Sequence, residues 1–213
     1  MASHGTKFAT ALLAIAACFG LGAQVLLEGD LIFTVSSTAN AITQATSTDA
    51  GIDHVAIVHY IGGEHGLPYV VEAWPPMVSL TPLDTLLSRA RASGDSLVVA
   101  RVATLDVSLS TTRALRYVGT PYDELYLQGD SALYCSELVQ MCYVDSAGRA
   151  VFEVQPMSFA GADGAILPEW IEHYARFGCE VPQGLPGTNP AAMARDSRVT
   201  IVGSLNVDSM TSF

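Results

Sequence analysis

Positive charge is scarce in this chain. Lysine and arginine total 10 of 213 residues against 21 Asp plus Glu, a formal net charge of -11, and no basic run occurs. Gripping a phosphate backbone takes a basic stripe, so nucleic acid is excluded as a partner. H-E-x-x-H and C-x-x-C are also missing, so the common zinc signatures are absent and no metal or other cofactor is expected. His59, Glu64 and His65 lie close together, but a turn holding two histidines reads as an ordinary polar turn. Without a G-x-S-x-G the nucleophile elbow of an α/β-hydrolase is excluded. Neither an internal period nor a second long apolar run occurs, which rules out solenoids, coiled coils and multi-span membrane proteins. Apolar residues are plentiful, at 50%. That is enough to offset the entropy of ordering one domain of this length.

The long apolar run that does occur, residues 8–27, follows a short polar stretch ending in Lys7. Its length would span a bilayer, but its small-residue texture behind a basic start reads as an export signal. Two cleavage routes are open. Ile15-Ala16-Ala17-Cys18 has the form of a lipobox, with Cys18 the lipidated residue; the small residues up to Ala23 offer an ordinary peptidase site. The expected organisation is an export segment over residues 1–23, a working domain over 24–203 and a loose tail over 204–213. The domain is placed outside the cytosol, in the periplasm or envelope, and meets membrane only through its signal or lipid anchor. Of the cysteines, 135, 142 and 179 then remain. An odd number in an exported protein points to a free thiol, and a Cys142–Cys179 pairing stays open.

Along the working domain, residues 31–35 read as a first strand and 54–60 as a β-branched second one. The glycine cluster around 62–66 turns the chain, and 69–74 returns as the partner strand of a hairpin, stopped by Pro75-Pro76. A strand near Val78, a helix over 83–90, a strand over 97–102 and a helix over 110–118 follow. Cys135, Leu138, Val139 and Cys142 recur at helical spacing, so 134–144 reads as a buried helix. Strands over 151–154 and 198–202 and a helix over 168–177 complete an α+β order.

Cys135 opens the central helix behind a turn-rich loop. The positive end of a helix macrodipole favours the reactive thiolate, and a neighbouring His can hold it as an ion pair. His54 opens a strand, and Glu72 on the paired strand can orient an imidazole. His59 is an odd number of residues from His54 and points to the other face. Spacing leaves a second reading open, since a lone Cys on an apolar helix is more often inert core and a strand His more often structural.

Taken together, GDLIF, DHVAIV, VVEAW, GTPYDELY, YCSELV and VPQGLPGTNPAAMARD, in this order, resemble the YiiX/YebB-like cysteine hydrolases of the permuted NlpC-type, papain-like superfamily. The resemblance runs over residues 27–202. It implies a circularly permuted papain-like α+β fold, an antiparallel sheet or partial barrel packed on the helix that carries the nucleophile. It also implies Cys135 as nucleophile, His54 as base and Glu72 as the third member. Tyr122 of the PYD motif and Tyr134 are expected to line the substrate site, and the backbone N–H groups at Cys135 and Ser136 to steady an oxyanion. Ala56 stands where the motif has Gly and is expected to narrow the cleft on the His54 side.

The expected activity is hydrolysis of a peptide or isopeptide amide bond through an acyl-enzyme. The substrate is a small amide- or peptide-containing molecule, with peptidoglycan-derived peptides first in line. Acyl transfer or lipid deacylation is the second enzymatic expectation, and a ligand-binding envelope lipoprotein without turnover is the alternative from another class.

Overall fold

The computed structural model describes residues 25–45, 51–63, 65–103, 107–129 and 131–207. The expected export segment and Cys18 lie outside the described residues. No helix among the described residues is long and apolar enough to cross a membrane.

Strands β1 (Leu31–Val35), β2 (Ile52–Ile61), β3 (Leu67–Trp74), β4 (Met77–Pro82), β5 (Ser96–Val102) and β8 (Val199–Leu205) form one antiparallel sheet in the order β4-β3-β2-β1-β5-β8. The sheet ends at β4 and β8 without the two meeting, so it is the antiparallel sheet or partial barrel expected and not a closed barrel. The β2–β3 hairpin is as expected. At its tip a Cβ on Gly66 would run into the Ile61 carbonyl oxygen, which explains why the turn carries glycine. Helix α1 (Ala41–Ala45) and a two-stranded ribbon, β6 (Gln155–Pro156) with β7 (Pro186–Gly187), lie outside the sheet.

Both faces of the sheet are covered, so its central strands are apolar without alternation. On one face, Ile32, Ala56, Val58, Val70 and Leu97 pack against Leu86, Leu87 and Ala90 of α2 (Leu83–Ser93). Helix α2 ends at Gly94, whose φ of 73° supplies the left-handed cap and returns its N–H to the last turn. On the other face, Leu31, Phe33, Val55, Ile57 and Val71 meet α3 (Val107–Arg116), α4 (Cys135–Cys142) and α6 (Pro190–Ala194). A third cluster packs Ala45 of α1 with Phe159 and with Trp170 and Tyr174 of α5 (Pro168–Ala175).

Three expectations are corrected. Residues 151–154 do not form a strand; Ala150 bridges Val144 and the Val151 N–H bonds the Tyr143 carbonyl at 2.8 Å, but the ladder goes no further, and Val151 and Phe152 are buried through their side chains. The closing strand runs beyond residue 202, because Ser204 and Leu205 pair with Val98 and Leu97 of β5, so the tail is not loose from 204. Ala56 is buried under α2 and does not reach the cleft, so it cannot narrow it. Cys142 is buried and Cys179 exposed, and both are free thiols, so they do not pair.

Candidate active site

The register of the hairpin builds the first half of the site. Ile57 faces Val71 in the β2–β3 ladder. Carried toward the open end of the hairpin, that register sets His54 beside Trp74 and one diagonal step from Glu72, all on one face. The side chains meet accordingly: His54 Nε2 lies 2.8 Å from Glu72 Oε2, and the Trp74 ring packs edge-on to the imidazole with centroids 5.2 Å apart. Glu72 is fully buried and His54 is 5% exposed. Glu72 Oε2 also accepts from Arg89 Nη2 of α2 at 2.6 Å, and the Arg89 guanidinium carbon lies 3.9 Å from the Trp74 ring centre.

The second half comes from the opposite layer. Cys135 is the first residue of α4, behind Tyr134 in extended conformation and with no side-chain cap at that end. The first-turn amides therefore lack intrahelical acceptors and are left for another partner. Cys135 and His54 line the same cleft, near enough for the Cys135 side chain to raise the His54 pKa. Although they stand on opposite layers, they meet at the end of the sheet, where β2 begins, β3 ends and α4 starts.

Burial by itself would lower the His54 pKa and raise that of Glu72. The hydrogen bonds and opposite charges win in both cases. Bonding to Cys135 and Glu72, with their charges, lifts His54 from 6.5 to about 9. Bonding to His54 and Arg89 holds Glu72 at about 2. At neutral pH the site thus contains an imidazolium held against a carboxylate, with Cys135 beside it.

The site opens into a cleft of about 290 Å³. Tyr122, Tyr134 and Ser136 line it, as do Trp74, Leu86, Met157, Phe159 and Trp170, giving it a largely apolar wall. Burial pushes the Tyr122 hydroxyl far above its ordinary value and Tyr134 up to about 12, so both stay protonated. Tyr122 shares its hydroxyl with Tyr126, 3.3 Å away. The Tyr134 hydroxyl is taken up differently: it accepts from Thr188 N–H at 2.9 Å and bonds Gln128 at 3.4 Å. The Ser136 hydroxyl meets Thr188 Oγ1 at 3.1 Å. These bonds latch the Pro186-Gly187-Thr188-Asn189-Pro190 loop to the start of α4, so that Thr188, Asn189 and Pro190 border the cleft. A Cβ on Gly187 would lie 2.5 Å from Met157 Cγ and 3.1 Å from the Tyr134 hydroxyl, which accounts for the glycine in that loop.

Residues 25–203 match the family described as permuted papain-like amidase enzyme, YaeF/YiiX, C92 family. The chain belongs to this family of permuted papain-like amidases. The family is one of amidases, and the resemblance seen in the motifs holds. It is 36% identical over 136 residues to the Escherichia coli K12 protein named "Uncharacterized protein YiiX", a match that covers 61% of this chain and 63% of that protein. Among solved structures it is similar to the metalloprotein yiiX of Escherichia coli O157:H7, with a TM-score of 0.69 and 26% identity, covering 84% of this chain and 98% of that one.

That relative is described as a metalloprotein, which invites a test of the residues here. Among the described residues, no group of three or more His, Cys, Asp or Glu side chains is placed to hold a metal ion. His54 is bonded to Glu72 and lies beside Cys135, and His59 Nδ1 is 2.8 Å from Glu28 Oε1; residue 64 lies outside the described residues. The donor set among the described residues thus does not fit a three-ligand centre.

Sequence reasoning missed four neighbours of the site. Trp74 was within reach, because strand alternation sets it on the Glu72 face. Asp123, in the PYD motif, is buried and accepts from the Leu125 and Leu127 amides at 2.7 and 2.6 Å, so it shapes the loop that carries the tyrosines. Tyr126 sits in that loop at φ 54°, a left-handed conformation costly for a bulky side chain. Its ring is wedged against Tyr122, Tyr134 and Trp170. Arg89 lies on a helix whose sequence marks no site.

Proposed function

We propose that this chain is an exported cysteine amidase that cleaves a peptide or isopeptide bond, with cell-wall peptides as the substrate class, through an acyl-enzyme on Cys135. The Cys135–His54–Glu72 chain at the end of an enclosed cleft carries this reading. Cys135 Sγ attacks the carbonyl carbon, and the N–H groups at the uncapped start of α4, at Cys135 and Ser136, receive the developing oxyanion. As the carbon–nitrogen bond breaks, His54 gives its proton to the departing amine. His54 then takes a proton from water, the hydroxide attacks the thioester, and the carboxylic acid leaves with the thiolate restored. Glu72 keeps the imidazole oriented and charged. Tyr122 and Tyr134 line the substrate path. Export through residues 1–23, with lipidation at Cys18 as one route, brings the enzyme to the envelope where such amides occur.

A second reading, acyl transfer or lipid deacylation, is favoured by one observation, the apolar wall of Trp74, Leu86, Met157, Phe159 and Trp170. The test is to incubate the mature protein separately with muropeptides and with phospholipid, and to follow products and Cys135 acylation by mass spectrometry. Release of an amine from muropeptides, lost in a folded Cys135→Ala protein, is the expected result. Acylation by phospholipid alone selects the second reading. A Cys135 inert to iodoacetamide, or indifferent to His54→Ala, overturns both and leaves a ligand-binding protein.

A further inference from the structure

His54, Glu72, Arg89 and Trp74 form a closed ring of contacts. His54 and Arg89 both donate to Glu72 Oε2, at 2.8 and 2.6 Å, while Trp74 touches His54 with its edge and carries the Arg89 guanidinium on its face. Glu72 Oε1 is buried and has no hydrogen-bond partner among the described residues. The carboxylate is therefore gripped through one oxygen only. Two donors converging there leave it little freedom to rotate, and Trp74 holds the second donor at a fixed angle.

We propose that Arg89 of α2 is a positioning residue of the amidase: it fixes the rotation of the Glu72 carboxylate and keeps it charged, so that Oε2 stays on His54 and the imidazolium stays on Cys135. This rests on Cys135–His54–Glu72 being the reacting group. Two observations and one general argument support it. Arg89 makes its contact at a fully buried carboxylate although its own side chain is 25% exposed, so the buried end of the pair depends on it. A carboxylate left in that position with one donor fewer is poorly compensated. Arg89 also lines the cleft beside His54, so α2 reaches the reacting group from the sheet face opposite to α4.

The charged groups around Glu72 are few. His54 comes from β2 and Arg89 from α2; Ser79, across from it on β4, is neutral; Cys135 on α4 acts on His54; and Arg113 on α3 acts on Cys142 instead. Losing Arg89 removes a hydrogen bond and a charge that hold the Glu72 pKa down. The carboxyl then gains a proton at higher pH than in the wild type and, freed to rotate, holds the imidazolium on Cys135 less firmly.

The test uses Cys135 alkylation by iodoacetamide at about pH 5 and about pH 8, with mass mapping, in wild type, His54→Ala, Arg89→Met and Arg89→Lys. The ratio of the acidic to the alkaline rate is expected to fall about tenfold in Arg89→Met, the size of one charge-assisted hydrogen bond, and to recover in Arg89→Lys, which keeps the charge and a donor. A change of α2 packing alone would slow both rates equally and leave the ratio unmoved. Should Arg89→Met not fold, Arg89→Gln takes its place with the same expected fall. An unchanged ratio in the folded variant, while His54→Ala still abolishes the reactivity, overturns the role of Arg89 and leaves the amidase reading intact. Loss of any dependence on His54 defeats the amidase reading itself.

Discussion

Replacing Glu72 by Gln separates its charge from its shape. The amide offers one acceptor and one donor group. Arg89 Nη2, 2.6 Å from Oε2, can only donate, so the amide oxygen must take that place and the NH2 group the place of Oε1. His54 Nε2 keeps its acceptor and the imidazole its tautomer. What disappears is the negative charge. Two unit charges about 4 Å apart at an effective dielectric constant of about 20 attract by about 4 kcal/mol, which corresponds to about 3 pH units. The retained hydrogen bond trims this. His54, at about 9 in the wild type, is therefore expected to titrate between about 6 and about 7 in Glu72→Gln. At about pH 8 the imidazolium fraction falls roughly tenfold to a hundredfold, and turnover of any amide falls with it. The measurement is an NMR titration of the His54 imidazole, with near-ultraviolet circular dichroism to establish that the variant is folded. A midpoint that stays within about half a pH unit of the wild type would refute the reasoning, because the charge on Glu72 would then not be what holds the imidazolium.

The same groups set how stability varies with pH. His54 is raised from 6.5 to about 9, so its contribution is complete below about pH 6.5 and is lost as pH climbs through 9. Glu72 is lowered from 4.5 to about 2, so its contribution is complete above about pH 4.5 and is lost as pH falls toward 2. Chemical denaturation should therefore find a plateau between about pH 4.5 and about pH 6.5, and a loss on the order of 3 kcal/mol by about pH 10; a flat profile there would contradict the pairing. The Tyr134 hydroxyl gives a separate prediction. Tyr134→Phe removes the acceptor of the Thr188 N–H, at a cost of about 1–2 kcal/mol. Hydrogen exchange should then show loss of protection at Thr188, with the protection of β2 and β3 unchanged.

How much of this was legible in the sequence depends on the range of the signal. The β2–β3 hairpin, first strand and central helix follow from local patterns: β-branched runs around a glycine turn, and apolar residues at helical spacing. His54 and Glu72 meet because strand alternation and a tight hairpin fix their register, and that can be read from one short segment. Cys135 could be nominated from its place at a helix start, but its meeting with them across the sheet is a placement no local pattern encodes, and only the motif resemblance implied it. Arg89 was invisible, since an arginine on an amphipathic helix looks the same whether it faces water or a buried carboxylate. The strand expected over 151–154 failed because a short apolar run states burial without stating pairing; Val151 and Phe152 are buried, and the ladder that starts at Ala150 goes no further.

The order of the functional residues along the chain has a consequence for the nascent protein. His54 and Glu72, 18 residues apart, belong to one hairpin and can find each other early. Cys135, the proposed nucleophile, lies 135 − 54 = 81 residues beyond His54, and the start of its helix is clamped at Tyr134 and Ser136 by a loop that comes later still, through Thr188. Loop-closure entropy places such distant contacts late in folding. An incomplete chain therefore carries an acid–base pair with nothing to activate, and its thiol lacks the imidazole until the last quarter of the polypeptide has docked. On the proposed export and amidase readings, the chain would cross the membrane as a latent enzyme, its chemistry withheld by the sequence order of its parts.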